Sequence, residues 1–397
     1  MPWKVTGPMD ERTQFIAAWL QHEHTMAELC RTFNVSRKTA YKWVARYQAA
    51  GPAGLVDRSR APHTHPQAIA PAVADLVLAA RARHPTWGPK KLRASLASQH
   101  PDLVLPAPST VGDLLHRAGL VVPRRRRRHT PPFTAPLAHA AWPNAVWCVD
   151  FKGQFRTGDG VWCYPLTISD GYSRYLLRCQ ALTHPDGVHV RPLFEATFRE
   201  YGVPQAIRSD NGPPFATTGL GGLSALSVWW VTLGIVPERI APGKPAQNGR
   251  HERLHRTLKQ ETATPPASTL RSQQRAFDRF RQEYNEERPH EALGQVPPAM
   301  VYVPSLSPYR CRPQPFVYPE ADTVLRVKRG GEVYWRGAYI YLTNALGGER
   351  VGLTRLEPGR WQVAFGPVVL GVLDERRGKI LPGQPPGTQR RRTPKER

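Results

Sequence analysis

Apolar residues recur every three or four positions along "DERTQFIAAWLQ", "MAELCRTFN" and "RKTAYKWVARYQ", a spacing that predicts three short helices between residues 10 and 50. Thr25 and Ser36 stand before the second and third runs, where a side-chain oxygen can cap free backbone N–H groups. A helix, the short turn "NVS", and a helix opening on Arg37, Lys38 and Thr39 and continuing with Tyr41 and Lys42 follow the pattern of a helix-turn-helix. Those five residues are the candidate DNA contacts of a domain over residues 1–60; a plain helical bundle with a solvated basic face is the alternative. After the polar stretch "DRSRAPHTHPQ" the helical period returns in "PAVADLVLAARARH", "GPKKLRASLASQ" and "STVGDLLHRAGL", with Ser109 as the expected cap of the last. The same three-helix proportions predict a second helix-turn-helix-like DNA-binding unit over 66–122.

The pattern then breaks at "VVPRRRRRHTPPFTAP". Five successive arginines (Arg124, Arg125, Arg126, Arg127 and Arg128) flanked by prolines cannot enter a core, so 123–141 reads as an extended linker that can touch phosphates. From Trp142 the period shortens. "AVWCVDFKGQF", "VWCYPLTISD" and "YLLRCQALT" are rich in β-branched and aromatic residues and predict an antiparallel meander. Alternating segments follow: helix "RPLFEATFREYG", strand "AIRS", helix "LSALSVWWVTLG", strand "IVPERI" and helix "GRHERLHRTLKQET". A last helix, "TLRSQQRAFDRFRQEYNEER", closes a domain over 142–300, predicted as a mixed α/β sheet covered on both faces. Residues 320–375 show about five short strands separated by Gly-containing turns, which predicts a small all-β barrel. The remainder, 376–397, reads as a basic disordered tail.

Composition adds a partner to this multidomain outline. Among 397 residues, 55 Lys and Arg face 31 Asp and Glu, a net charge of +24. A surface so positive seeks a polyanion, and double-stranded DNA fits the helix-turn-helix pattern. The 5 cysteines have no C-x-x-C pair, which argues against a disulfide framework and against a structural zinc site. No apolar leader opens the chain, and the most apolar stretch, "SALSVWWVTLGIV", is too short to span a bilayer. The expected setting is cytoplasmic and nucleoid-associated, with no membrane partner.

Candidate chemistry lies in three acids of the α/β segment. Asp150 falls inside the strand "WCVDF", where a charge is costly unless it binds something. Asp210 ends the strand before "NGPPF", and Glu252 lies one turn into a helix after "APGKPAQNG". Each has a structural explanation by itself: a satisfied buried Asp, a turn residue and a helix-dipole residue. Together, at one sheet edge, they could hold a pair of Mg2+ or Mn2+ ions, hard cations that take oxygen ligands and serve in-line phosphoryl transfer.

"WCVDFK", "SDNGPPF" and "PGKPAQNGRHERLHRTLK" together resemble the D, D, E signature of insertion-sequence transposases related to retroviral integrases. "HPTWGPKKLRASL" with "STVGDLLHRAGL" resembles the helical unit those transposases carry ahead of it. The resemblance spans nearly the whole chain in the expected order. It implies a ribonuclease H-like catalytic fold, strand cleavage and strand transfer at the ends of a mobile element, and a homo-oligomer on DNA. It also implies that Asp150, Asp210 and Glu252 form the metal-binding triad and that Asn211, Gly212, Asn248 and Gly249 shape the turns that aim the second and third acids. Arg256 and Lys259, with His255, continue the Glu252 face of its helix at i+4, i+7 and i+3, and by the resemblance Arg256 and Lys259 hold the element's own DNA end. One departure is the 41 residues (252 − 210 − 1) between Asp210 and Glu252, more than is usual in the family; the Gly-rich "TTGLGGLS" can absorb the surplus. Two other classes share parts of this pattern. A DNA-binding regulator with an inactive nuclease-like domain would not need all three acids, and a structure-specific nuclease would leave the helical units without a role.

Overall fold

Caps and apolar spacing shape the N-terminal helices as expected. In the structure, a computed structural model that describes residues 7–59, 68–121, 137, 139–240 and 249–382, the chain divides into two compact units, Met1–Ala68 and Ile69–Arg397. The first holds α1 (Pro8–Leu20), α2 (Met26–Thr32) and α3 (Arg37–Ala50). The Thr25 hydroxyl accepts from the Glu28 N–H while Glu28 Oε2 accepts from the Thr25 N–H at 2.8 Å, a capping box that starts α2. Ser36 Oγ accepts from the Thr39 N–H at 3.2 Å and starts α3. Phe15, Ile16, Leu29, Ala40, Trp43 and Val44 close a core between the three helices.

The second unit opens with α4 (Pro71–Arg83), α5 (Pro89–Gln99) and α6 (Pro108–Arg117). Ser109 does not cap α6: the cap position is Ala107, which makes no side-chain cap bond. Pro108 stands at the first helical position, where its missing N–H leaves one donor fewer to satisfy.

The central sheet is mixed, as the alternation of strands and helices predicted. Its strands are β1 (Val146–Phe151), β2 (Phe155–Arg156), β3 (Trp162–Asp170), β4 (Leu176–Leu182), β5 (Ala206–Ser209) and β6 (Val236–Arg239), in the order β2-β3-β1-β5-β6 with β4 on β3. β1–β3 and β3–β4 are antiparallel, whereas β1–β5 and β5–β6 are parallel. On one face α7 (Gly187–Tyr201) packs Val190, Phe194 and Phe198 against Trp147, Val149 and Ile207. α9 (Gly249–Thr262) and α10 (Leu270–Glu286) cover other strand positions with Leu254, Leu258, Phe277 and Phe280, against Cys163, Leu176 and Cys179. α8 (Ala225–Thr232) explains its unbroken apolar run by having two buried sides. Leu226, Trp229 and Trp230 enter the sheet's core, and Val228 and Val231 enter the core of the C-terminal strands.

Two expectations are corrected here. The C-terminal strands do not close into a barrel. β7 (Thr323–Arg326), β10 (Arg350–Glu357), β11 (Arg360–Phe365), β12 (Val368–Asp374) and β13 (Lys379–Pro382) form an open antiparallel sheet in the order β13-β12-β11-β10-β7, and β8 (Glu332–Trp335) with β9 (Ala338–Tyr341) forms a separate hairpin. Closure would need β13 and β7 to pair. Instead the apolar side is covered by Val333 and Ile340 of the hairpin and by α8, so the core fills without closure. β13 also lies inside 376–397, the stretch read as a disordered tail; its pairing partner β12 is what orders it.

The helices α4–α6, expected to be a domain of their own, share a compact unit with the central sheet. Trp87 makes the junction. It is fully buried, stacked on His84 with ring centroids 3.8 Å apart, and the Arg288 guanidinium lies 5.9 Å from its ring. His84 Nδ1 is 2.9 Å from Glu283 Oε1 of α10, and Lys91 Nζ donates to the Pro289 carbonyl. An indole of roughly 200 Å² removed from water stabilises such a junction by up to about 5 kcal/mol. "HPTWGPKK" therefore acts as a docking segment.

Candidate active site

β1 and β5 bring two acids to one edge. Their parallel register pairs Val146 with Ala206, Trp147 with Ile207 and Cys148 with Arg208. Continued two steps, the same register sets Asp150 beside Asp210, on the side of the sheet that Cys148 and Arg208 occupy. Asp150 is the fifth residue of β1 and Asp210 follows the last residue of β5, so the two parallel strands lead both acids to the same edge of the sheet. Burial pushes the Asp210 carboxyl above its ordinary value, and the Gly212 N–H, 3.3 Å from Oδ1, pulls it partly back. The turn beyond is tied down: Asn211 Nδ2 donates to the Ile240 carbonyl at 2.8 Å, linking it to the strand end of β6. The Gly-rich stretch between Asp210 and α8 is ordered as well. Gly222 has φ 64°, a conformation that favours glycine, and the Arg239 guanidinium lies over the space a Cβ would take.

α9 lies over the same side of β1 and β3. Asp150 pairs with Thr167 across β1–β3, and Thr167 is fully buried. Its hydroxyl is 2.8 Å from His251 Nε2, 2.7 Å from His255 Nε2 and 3.3 Å from the Asp150 carbonyl. Burial lowers His251 to about 4; His255 falls lower still, through burial and then through His251 and Lys152. Both imidazoles are thus neutral at pH 7. A hydroxyl has one proton to give, so at least one of the two must donate its Nε2–H to Thr167. His255 Nδ1 lies 3.9 Å from Asp150 Oδ2.

This cluster was not read from the sequence, although the signal was there: His251, Leu254, His255 and Leu258 repeat at i, i+3, i+4 and i+7 and are all buried. His255 accordingly leaves the basic stripe assigned to it, because that face of α9 turns inward. Arg256 and Lys259, like Glu252, are exposed on α9. Glu252 is itself exposed. Among the described residues no three His, Cys, Asp or Glu side chains come close enough to share one ion, and Glu252 stands in the first turn of α9, next in sequence to the buried His251. Gly249 is the first residue of α9; Asn248 and Arg124 to Arg128 lie outside the described residues. The donor set of Asp150 and Asp210, carboxylate oxygens with one carboxyl raised by burial, suits a hard divalent cation.

In the first unit, Arg37, Lys38, Tyr41 and Lys42 are exposed on α3, and Thr39 shares its hydroxyl with Ser36 at the cap. Trp43 is sandwiched by Arg12 at 4.0 Å, Arg46 at 4.9 Å and Lys42 at 5.0 Å, which stiffens the basic end of this helix.

Residues 140–245 and 233–298 match two integrase core domain families. Between them the two matches cover residues 140–298, so this segment is similar to an integrase core domain. Ahead of the integrase core, residues 11–63 match a helix-turn-helix domain and 39–115 a homeodomain-like domain. Similar proteins include an uncharacterized 31.7 kDa protein of insertion element IS407 from Burkholderia multivorans, 32% identical over 47% of this chain and 65% of that protein. Another, an uncharacterized 39.2 kDa protein of insertion element IS476 from Xanthomonas euvesicatoria, is 29% identical over 47% of this chain and 52% of that protein. The chain thus spans between half and two thirds of the length of these relatives. Among solved structures, the HTLV-2 integrase catalytic core domain in complex with magnesium is 15% identical over 41% of this chain and 98% of that one, with a TM-score of 0.32. A simian T-cell lymphotropic virus intasome in complex with a PP2A regulatory subunit is 14% identical over 77% of this chain and 96% of that one, with a TM-score of 0.36. Likenesses that loose carry no argument about this integrase core. No helix among its described residues is long and apolar enough to cross a membrane.

Proposed function

We propose that this chain is a DNA transposase that binds the ends of a mobile element and carries out metal-dependent strand cleavage and strand transfer. The reading is supported by the parallel pairing of β1 and β5, the strands that lead to Asp150 and Asp210, with the helix that carries Glu252 bonded to Thr167 opposite Asp150. Asp150, Asp210 and Glu252 would hold Mg2+ or Mn2+, two ions per site, and these ions, when bound, supply activation of the attacking oxygen and relief of charge on the leaving one. The chain's own residues do the rest. Asp150 and Asp210 concentrate negative charge at one edge; Arg256 and Lys259 hold phosphates beside it; the exposed side of α3, with Arg37, Lys38, Tyr41 and Lys42, enters the major groove. The net charge of +24 supports the long-range attraction to DNA that assembly on two element ends needs. A homo-oligomer on DNA, acting near the nucleoid, belongs to this reading.

The test is end DNA incubated with each of Asp150→Ala, Asp210→Ala and Glu252→Ala in Mg2+. Each variant should lose nicking and joining while DNA binding stays near the parental level. EDTA should abolish activity, Mg2+ or Mn2+ should restore it, and Ca2+ should support binding alone. A variant that cuts at near-parental rates in Mg2+ removes its residue from the triad, and a parental chain that binds but never cuts supports the regulator instead.

A further inference from the structure

We propose that Thr167 is a positioning residue for the candidate active site: one buried hydroxyl, shared by His251 and His255 and resting on the Asp150 carbonyl, sets where Glu252 stands against Asp150. The inference rests on the triad reading above and names what holds the third acid in place.

The geometry is specific. Both imidazoles belong to α9, one turn apart, and both reach the same oxygen at 2.8 and 2.7 Å. Glu252 follows His251 directly in sequence. A helix that slips by one residue moves about 1.5 Å and turns about 100°, so two contacts to one point of the sheet fix both its travel and its rotation. That point is on β3 directly opposite Asp150, and its hydroxyl lies 3.3 Å from the Asp150 carbonyl. The first acid and the helix of the third are therefore referred to a single atom. Apolar packing by Leu254 and Leu258 supplies cohesion without direction, whereas hydrogen bonds are directional, so the hydroxyl is what specifies the phase of the helix.

Thr167→Val keeps the shape of the side chain and removes the hydroxyl. With the third acid loosened by an ångström, cleavage of end DNA should fall about 100-fold. The half-saturating Mg2+ concentration should rise severalfold, and affinity for end DNA in Ca2+ should be unchanged. A loss through partial unfolding would lower the amplitude without moving the Mg2+ midpoint. Thr167→Ser, which restores the hydroxyl, should regain most of the rate. If Thr167→Val does not fold by circular dichroism, Thr167→Cys takes its place, since a thiol bonds weakly, and it should be at least about tenfold slower than Thr167→Ser. Parental rates and an unmoved Mg2+ midpoint in the folded hydroxyl-free variant would overturn the inference while leaving the triad standing. A parental chain with no cleavage in Mg2+ would overturn both.

Discussion

His290 makes the junction between α5 and the integrase core sensitive to acid. The ring packs edge-on to Tyr284 at 4.7 Å, and its Nε2 is buried with no hydrogen-bond partner among the described residues. Burial, then the positive charges of Lys91, Arg288 and Arg174, lower it from 6.5 to about 3. The sign follows from proton counting. Between pH 6.5 and 3 the unfolded chain binds a proton at this position that the folded chain refuses, so stability is intact above pH 6.5 and declines as pH falls through that window. At pH 5 the decline spans roughly 1.5 pH units at 1.36 kcal/mol each, or about 2 kcal/mol. The perturbation is His290→Gln, which cannot charge. Urea unfolding of parent and variant at pH 7.5 and pH 5 gives four free energies, and the contributions of His251 and His255 cancel in the comparison. The parent should lose about 2 kcal/mol more than the variant on going to pH 5. If both lose the same amount within about 0.5 kcal/mol, His290 is not held neutral and the reasoning fails. Lys91, held down to about 8 mainly by burial, sits across the junction and adds to the repulsion whenever His290 is charged.

Three further outcomes are expected. Trp87→Ala removes a fully buried indole and its stacking partner's support, and should destabilise the Ile69–Arg397 unit by about 3–5 kcal/mol in urea unfolding; less than about 1 kcal/mol would mean the junction is not built on Trp87. Arg256→Glu with Lys259→Glu, both on the exposed side of α9, should reduce the slope of log affinity against log salt for end DNA by about 1.8 and abolish end processing at near-parental melting temperature, and parental cleavage would make the stripe a solvated face. Arg37→Ala should narrow the gap between end DNA and random DNA by about 1–3 kcal/mol in competition binding, while an equal loss on both would make Arg37 a phosphate contact.

The elements whose information is local were legible in the sequence. α9 and the caps at Thr25 and Ser36 follow from helical period and side-chain chemistry within a few residues. Asp150 drew notice because a charge inside an apolar strand is costly unless it is bonded, whereas Asp210 and Glu252 joined it only through the likeness of the three motifs taken together. Other features depended on partners distant in the chain. Nothing in "EVYWRGAYIYLT" says whether that hairpin joins a barrel or covers an open sheet; the choice is made by α8, whose second apolar side takes part of the same core. β13 reads as tail because its order comes from β12 and not from its own residues. α7 begins at Gly187, ahead of the expected start, because Asp186 caps it by accepting from the His189 N–H at 2.9 Å, with Pro192 accommodated inside the helix. The sequence by itself determined which residues carry charge and which helical or strand period each segment keeps, since both are properties of near neighbours. Only the tertiary structure decided that Thr167 meets two histidines 84 and 88 positions away, and that Trp87 ties the helical unit to α10, because the cost of burying a polar atom or an indole depends on what the fold brings against it.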